Sequence, residues 1–106
     1  MLISTAENLS DHTIVQTLGI VRGTVIRAKH IGTDIIAGLR NLVGGEVKEY
    51  TKLMAEAREQ AIDRMIHEAE GMGADAVVGV RFATSMVMAG AAEVLVYGTA
   101  VRLDKS

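Results

Sequence analysis

The sequence predicts an α+β subunit of order β-α-α-β-β, in which a long helix packs on one face of an antiparallel-rich sheet. An early segment is rich in Ile, Val and Thr, which is typical of a strand. A long helical pattern follows a pair of glycines, and two apolar β segments come after it. The 106 residues are predicted to form one domain, residues 1–106.

The first strand is predicted over residues 12–29, "HTIVQTLGIVRGTVIRAK", where β-branched residues alternate with polar ones over short stretches. Gly19 and Gly23 interrupt the pattern. A glycine inside a strand indicates a bulge or a close approach by another part of the backbone. We therefore expect one of these two features at each glycine.

Two helices are predicted next. Apolar residues at helical spacing within residues 34–43 predict a short helix, capped by Thr33 or Asp34 and ended by Gly44-Gly45. A long helix is predicted from Glu46 to about Met72, with Gly71 and Gly73 ending it. Its apolar stripe repeats every three or four residues and consists of Tyr50, Met54, Ala57, Ala61, Met65, Ala69 and Met72.

Two further strands are predicted over residues 74–82 and 91–103, joined by a hairpin turn around Gly90. "AVVGV" and "VLVY" are apolar on both alternating faces, which is typical of strands covered on both sides. The helices can cover only one face. A second copy of the chain is the simplest cover for the other face, so we predict a homo-oligomer.

Composition excludes several classes of protein. With 11 basic and 13 acidic residues and no dense basic run, the chain is not expected to bind nucleic acid. No apolar run is long enough to cross a membrane, and the N-terminus does not resemble a signal peptide. The chain has no cysteine, which is compatible with the cytoplasmic location that we expect. Aromatics make up only 3%, so the core is predicted to be aliphatic.

The glycine pair Gly44-Gly45 has two interpretations. Backbone N–H groups at a helix start can bind an anion. However, the pair lacks the spacing of known phosphate loops, follows a helix rather than a strand, and is followed by Glu46 and Glu49, which would repel a phosphate. A break between two helices is the favoured interpretation.

The spacing of histidines does not support a metal site. His12, His30 and His67 include no pair four residues apart, so a site would need convergence of distant segments or of several subunits. Without cysteine, a soft-metal site has only methionine thioethers, and methionines at helical spacing more often fill a core. The cofactor therefore stays unknown: a metal ion is compatible with the sequence, but the residue spacing does not predict one.

Arg58 is the charged residue of greatest interest on the long helix. The pairs Lys52–Glu56, Asp63–His67 and Arg64–Glu68 are ordinary solvated pairs four residues apart. Arg58 instead lies near the edge of the apolar stripe. Its stem could pack while its guanidinium reaches a carboxylate of the same or a neighbouring subunit, and this structural role is favoured over ligand binding.

Three blocks of the chain resemble the YbjQ-like family. They are "GLRNLVGGEVKEYTKLMAEAREQA", "GADAVVGVRF" and "VYGTAVRL". The resemblance also includes "TIVQTLGIVRG" and so covers nearly the whole chain. It implies a dodecin-like subunit assembled as a ring-shaped homopentamer, in a family labelled as heavy-metal-binding. It supplies no established catalytic residues.

These observations predict a small homo-oligomeric protein that binds a metal ion or small ligand at subunit interfaces. The expected ligand-binding residues are the polar groups near the helix junction: Arg40, Glu46, Tyr50 and Arg58. One alternative is an enzyme with an inter-subunit active site, although no nucleophile elbow or acid–base pair stands out. The other is a structural assembly protein without a ligand.

Overall fold

A computed structural model describes residues 1–28, 48–88 and 91–105, with the side chains of residues 48–50 left out. The described elements are β1 (Leu2–Ile3), β2 (Ile14–Ala28), α1 (Lys48–Gly71), β3 (Ala76–Met88) and β4 (Ala91–Leu103). The predicted short helix over residues 34–43, the Gly44-Gly45 break and the turn around Gly90 lie outside the described residues.

The strands form one mixed four-stranded sheet in the order β1-β3-β4-β2. β4 is central and pairs antiparallel with β2 on one side and with β3 on the other. β1 pairs parallel with the start of β3, through Leu2 opposite Ala76 and Ile3 opposite Val77. The predicted α+β class is confirmed. The parallel strand β1 was not predicted, because two residues are too short to show a strand pattern.

Most predicted boundaries agree with the structure within two residues, and β4 agrees at both ends. The exception is β3, which was predicted to end at Phe82 and continues to Met88. The prediction was wrong because the apolar run gives way to "ATS" after Phe82. The main chain nevertheless keeps its pairing with β4, for example Thr84 opposite Val94 and Met86 opposite Ala92.

The main core lies between α1 and one face of the sheet. Four helix residues at intervals of four are fully buried: Ala57, Ala61, Met65 and Ala69. The strands contribute mainly valines to the same cluster, among them Val21, Val25, Val77, Val94 and Val96. The aliphatic core and the helical stripe predicted from the sequence are therefore confirmed within the described residues.

The helix approaches the sheet most closely at Gly23 of β2. A Cβ atom placed there would lie 1.9 Å from the backbone oxygen of Ala61 and 2.7 Å from the nitrogen of Met65. Of the two features predicted for a glycine in this strand, Gly23 therefore shows the close backbone approach. At Gly19 the β2–β4 register shifts, so this position shows the other feature, a bulge.

The second face of the sheet is partly covered by the chain itself. Ala76, Val78 and Val101 form a second buried cluster, and Leu9, Ile14 and Leu103 pack against it. The expectation that another copy must cover this face is thus corrected for the end of the sheet near the N-terminal segment. The side chains of Ile20, Ile26 and Tyr97 on this face are exposed.

Helix α1 ends in two hydrogen bonds typical of a Schellman motif. The N–H of Ala74 donates to the carbonyl of Ala69, and the N–H of Gly73 donates to the carbonyl of Glu70. Gly73 has a positive φ of 77°, as the motif requires. The predicted helix stop is confirmed.

Candidate functional site

Of the four predicted ligand-binding residues, only Arg58 has a described side chain. Arg40 and Glu46 lie outside the described residues. Tyr50 belongs to the first turn of α1, but its side chain is not described. Only Arg58 can be placed in full, so the predicted grouping stays a prediction.

Arg58 is exposed on α1. Within residues 1–28, 48–88 and 91–105, its guanidinium makes no ion pair, since Lys105–Asp75 is the one such pair recorded there. The predicted partner carboxylate in the same subunit is therefore not found among these residues. A partner in a neighbouring subunit stays a prediction.

Among the described histidines, His12 and His67 are exposed, and His30 lies outside the described residues. In the described ranges, no group of three His, Cys, Asp or Glu residues is placed to hold a metal ion. A metal site would have to draw on residues outside these ranges or on several subunits.

An open cavity of about 660 Å³ lies on the sheet face away from the helix, beside the N-terminal segment. Its apolar lining includes Ile14, Val78 and Val101. Its polar lining consists of Glu7, Asn8, Thr17, Arg81 and Thr99. One subunit thus supplies a concave surface on which both signs of charge and two hydroxyl groups meet an apolar floor.

A bulge at Gly79 of β3 shapes this cavity. Val78 pairs with Thr99 and Arg81 with Tyr97, so β3 contains one more residue than β4 between these two pairs. Gly79 has a positive φ of 61°, which other residues rarely adopt. Its N–H donates to the carbonyl of Ala6 at 2.8 Å, and the N–H of Val80 donates to that of Ser4 at 3.0 Å. The bulge therefore anchors the segment that carries Glu7.

The Arg81 side chain is held in place by backbone carbonyls. Its Nη1 donates to the carbonyl oxygens of Thr5 at 2.8 Å and Val80 at 2.9 Å. No hydrogen bond from its Nε or Nη2 and no ion pair to a carboxylate is recorded among the described residues. The guanidinium is thus oriented through one nitrogen while its other donors face no described partner.

Glu7 lines the same cavity without pairing with Arg81. The two side chains form no ion pair, and Glu7 makes no side-chain hydrogen bond with any described residue. A carboxylate and a guanidinium therefore share one cavity with their charges uncompensated by each other.

No pattern in the sequence predicted this cavity. Glu7, Asn8 and Arg81 are distant in the chain and match no motif. The available signal was Arg81 itself, a charge inside the apolar run "AVVGVRF" and two residues after a glycine. The N-terminal segment that completes the cavity has no periodic pattern that would have placed it there.

Asp75 lies in the connection between the end of α1 and the start of β3. Its Oδ2 accepts a 2.9 Å hydrogen bond from the N–H of Leu103, and its Oδ1 lies 3.3 Å from Nζ of Lys105. The Leu103 hydrogen bond, with a smaller contribution from Lys105, lowers the pKa of Asp75. Asp75 fixes the end of β4 and therefore has a structural role.

A second surface of interest is the distal part of β3, defined here as residues Phe82–Met88. Every side chain in it is exposed, including Phe82 at 45%, Met86 at 68% and Met88 at 66%. β1 pairs only with the start of β3, so no described strand pairs with the outer edge of this segment. Exposed apolar side chains thus occur together with an edge whose main-chain groups pair with no described strand.

Comparison with known proteins gives a full-length match. The YbjQ family model, described as "Putative heavy-metal-binding", matches residues 1–104. The chain belongs to this family. A relative of the YbjQ family from Methanosarcina acetivorans, named UPF0145 protein, is 60% identical over 103 residues, covering 97% of each chain. Another UPF0145 protein, from Thermosipho africanus, is 58% identical over 106 residues, covering 100% of this chain and 98% of its own.

A solved structure supports the fold of this YbjQ family member. The chain is similar to a crystal structure of a protein of unknown function of the DUF74 family from Pediococcus pentosaceus. The TM-score is 0.63 with 98% of each chain covered, at 19% sequence identity. This likeness shows the fold alone. Among the described helices, none is long and apolar enough to cross a membrane.

Proposed function

We propose that this protein is a homo-oligomer, assembled as a closed ring with the pentameric stoichiometry implied by the family resemblance, and that it binds a metal ion or small ligand between subunits. The observation that carries the assembly is the distal part of β3. There an apolar strand is exposed on both faces and has an outer edge that no described strand pairs with. Such an edge pairs readily with another chain.

The arrangement of edges favours a ring over a simple dimer. β2 forms the other end of the sheet, and no described strand pairs with its outer edge either. The distal part of β3 and the outer edge of β2 differ in sequence and lie on opposite sides of β4. If one subunit's β3 edge pairs with its neighbour's β2 edge, the contact is head-to-tail, and head-to-tail contacts close into rings when the rotation fits.

The exposed side chains on the open sheet face support the same assembly. Ile20, Ile26 and Tyr97 are exposed there, beyond the part covered by the N-terminal segment. Tyr97 belongs to β4, which pairs with the distal part of β3, and Ile20 and Ile26 belong to β2, the next strand in the sheet. A neighbouring subunit that paired with either edge could cover both areas at once.

The interfacial ligand is the finer part of the proposal. It assigns binding to Arg40, Glu46, Tyr50 and Arg58. Its support is the exposed position of Arg58, whose guanidinium has no carboxylate partner among the described residues, and the description of the family as heavy-metal-binding. A cytoplasmic location is a prediction of the sequence and belongs to the same proposal.

Native mass spectrometry of untagged protein, combined with elemental analysis, tests both parts. We expect a pentameric ring, and a mass increment or a stoichiometric metal when Zn²⁺ is supplied. Met86→Lys should convert the ring to monomers because it places a charge on the distal part of β3. Glu56→Lys, an exposed substitution on α1, is the matched control and should leave the ring intact.

Arg58→Ala separates ligand binding from assembly. Loss of Zn²⁺ or ligand mass with an intact ring supports the binding role, and Lys52→Ala on the same helix serves as the control. Dissociation of the ring would instead assign Arg58 to the interface. Rings that carry no added mass under any condition would support the structural assembly protein and contradict the proposed ligand.

A further inference from the structure

The cavity beside the N-terminal segment has the features of a ligand site, and they differ from those of the proposed interfacial site. All its lining residues come from one subunit, so its formation does not require assembly. Its volume of about 660 Å³ falls within the range of small-molecule pockets, roughly 300–1,000 Å³. Its lining is mixed, with three apolar side chains and five polar ones, so polar groups make up more of it than in most such pockets.

Arg81 provides the anion-binding half. Its Nη1 is committed to the carbonyls of Thr5 and Val80, which fixes the plane of the guanidinium. A carboxylate can then accept hydrogen bonds from Nε and Nη2 together, the bidentate geometry that makes arginine–carboxylate pairs strong. Because the side chain is already oriented, binding costs less conformational entropy than it would for a free surface arginine.

Glu7 provides the cation-binding half. It lines the same cavity and forms no ion pair with Arg81, so the two charges are too far apart to satisfy each other directly. A molecule that carries both charges can bridge them. The hydroxyl groups of Thr17 and Thr99 can donate or accept a hydrogen bond between the two ends.

We propose that this cavity binds a small zwitterion, with a carboxylate on Arg81, an ammonium group on Glu7 and a short apolar skeleton against Val78 and Val101. A free α-amino acid has this chemistry. A simple carboxylate satisfies only Arg81, and a simple amine satisfies only Glu7. Selectivity for the molecule with both charges is therefore the property that distinguishes this site from a nonspecific charged surface.

Isothermal titration calorimetry with matched probes tests the proposal. The probes are L-valine, isovalerate, which lacks the ammonium group, and isobutylamine, which lacks the carboxylate; γ-aminobutyrate is a second zwitterion with a wider charge separation. At least one zwitterion should bind about tenfold more tightly than both singly charged probes, since tenfold corresponds to about 1.4 kcal/mol, close to the lower end of what one charge-assisted hydrogen bond contributes. Equal binding of all probes, or no zwitterion binding, would overturn the proposal.

Two variants assign the ends of the ligand. Glu7 makes no recorded side-chain hydrogen bond, so Glu7→Gln should leave the fold intact and reduce zwitterion affinity to that of isovalerate. Arg81→Lys keeps the charge but loses the bidentate geometry, and it should weaken the binding of the zwitterion and of isovalerate, which both carry a carboxylate. Arg22→Gln is the control, because Arg22 lies opposite Tyr97 on the same face without lining the cavity. If Arg22→Gln weakens binding as much as Arg81→Lys does, binding depends on the general positive charge of this face and not on the cavity.

Location provides a readout independent of affinity. In ¹⁵N-resolved NMR spectra, L-valine or γ-aminobutyrate should shift the amide signals of Gly79, Arg81 and Thr99 more than those of exposed α1 residues. Shifts centred on α1 would overturn the proposal even if binding were tight. A monomeric protein that binds a zwitterion here would support this inference while contradicting the proposed assembly, so the two proposals can fail separately.

Discussion

Gly23 of β2 lies directly against the backbone of Ala61 in α1. A Cβ atom at Gly23 would approach the Ala61 carbonyl oxygen to 1.9 Å and the Met65 nitrogen to 2.7 Å. These are main-chain atoms of a packed helix, which cannot move aside as the end of a flexible side chain can. The distance between helix and sheet is therefore set at this one position.

Gly23→Ala should strongly destabilise the protein because the helix must move away from the sheet to admit one methyl group. Overpacking of this kind costs about 1–3 kcal/mol, and the contact with backbone places Gly23→Ala at the upper end. Urea unfolding at a fixed protein concentration measures the free energy of unfolding. Gly71→Ala is the control: a Cβ there meets nothing within 4 Å, so stability should be unchanged or slightly higher. Equal effects of the two substitutions would contradict the described packing.

Met65→Ala should remove the largest fully buried side chain of the main core. Truncation of a buried methionine costs about 2–5 kcal/mol, because transfer free energy is lost and a cavity remains. The midpoint of urea unfolding should fall accordingly. Ile66→Ala, at the half-buried neighbouring position, is the comparison and should cost less. A larger loss at Ile66 would indicate that a different face of α1 meets the sheet.

Asp75→Asn should lower stability at neutral pH but not at strongly acidic pH. The pKa of Asp75 is lowered in the folded protein, mainly by the N–H of Leu103, from an ordinary value of 3.8. The ionised carboxylate therefore stabilises the fold above pH 3.8, and this contribution is lost as the pH falls through the lowered pKa of the folded state. Thermal unfolding of both proteins from pH 7 down to pH 2 should show the two stability curves converging at the acidic end.

The cause of the Asp75 shift can be checked with Lys105→Gln. Since the Leu103 hydrogen bond is the largest single cause and Lys105→Gln keeps it, this substitution should reproduce only part of the Asp75→Asn effect at pH 7. If the stability curves of the protein and Asp75→Asn ran parallel across the whole pH range, the stability difference between them would not come from ionisation of the Asp75 carboxylate.

Gln60→Glu should stabilise the contact between α1 and β2. The Nη2 of Arg27 donates to Oε1 of Gln60 at 2.7 Å in a partly buried position, and a carboxylate would make this hydrogen bond charge-assisted. Because the pair is partly exposed, the gain should be at most about 1 kcal/mol and should shrink with added salt. The same substitution in an Arg27→Met background is the control. A gain that persists there would have nothing to do with the arginine.

The sequence predicted the features that depend on local pattern. The alternation around Val21 and Val25 and the spacing of Ala57, Ala61 and Met65 specified β2 and the buried face of α1. Each pattern follows from a short-range geometric period. The interruption at Gly23 predicted either a bulge or a close backbone approach, and the structure shows the close approach.

Features that depend on distant pairing were not predicted. Local polarity ended the predicted third strand at Phe82, whereas pairing with β4 extends it to Met88. The cavity depends on the N-terminal segment meeting the Gly79 bulge, so Glu7 and Arg81 become neighbours only in the folded sheet. A contact between segments so far apart in the chain leaves no periodic pattern in the sequence.

The central position of β4 has a consequence for biosynthesis. β2 and β3 are not neighbours in the sheet; each pairs with β4, and the first residue of β2, Ile14, lies opposite the last residue of β4, Leu103. A nascent chain on the ribosome therefore holds β2 and β3 without their common partner until residues 91–103 have been made. Helix α1 can form early, but the sheet on which it rests is completed only when β4, the last of the described strands in chain order, has been made.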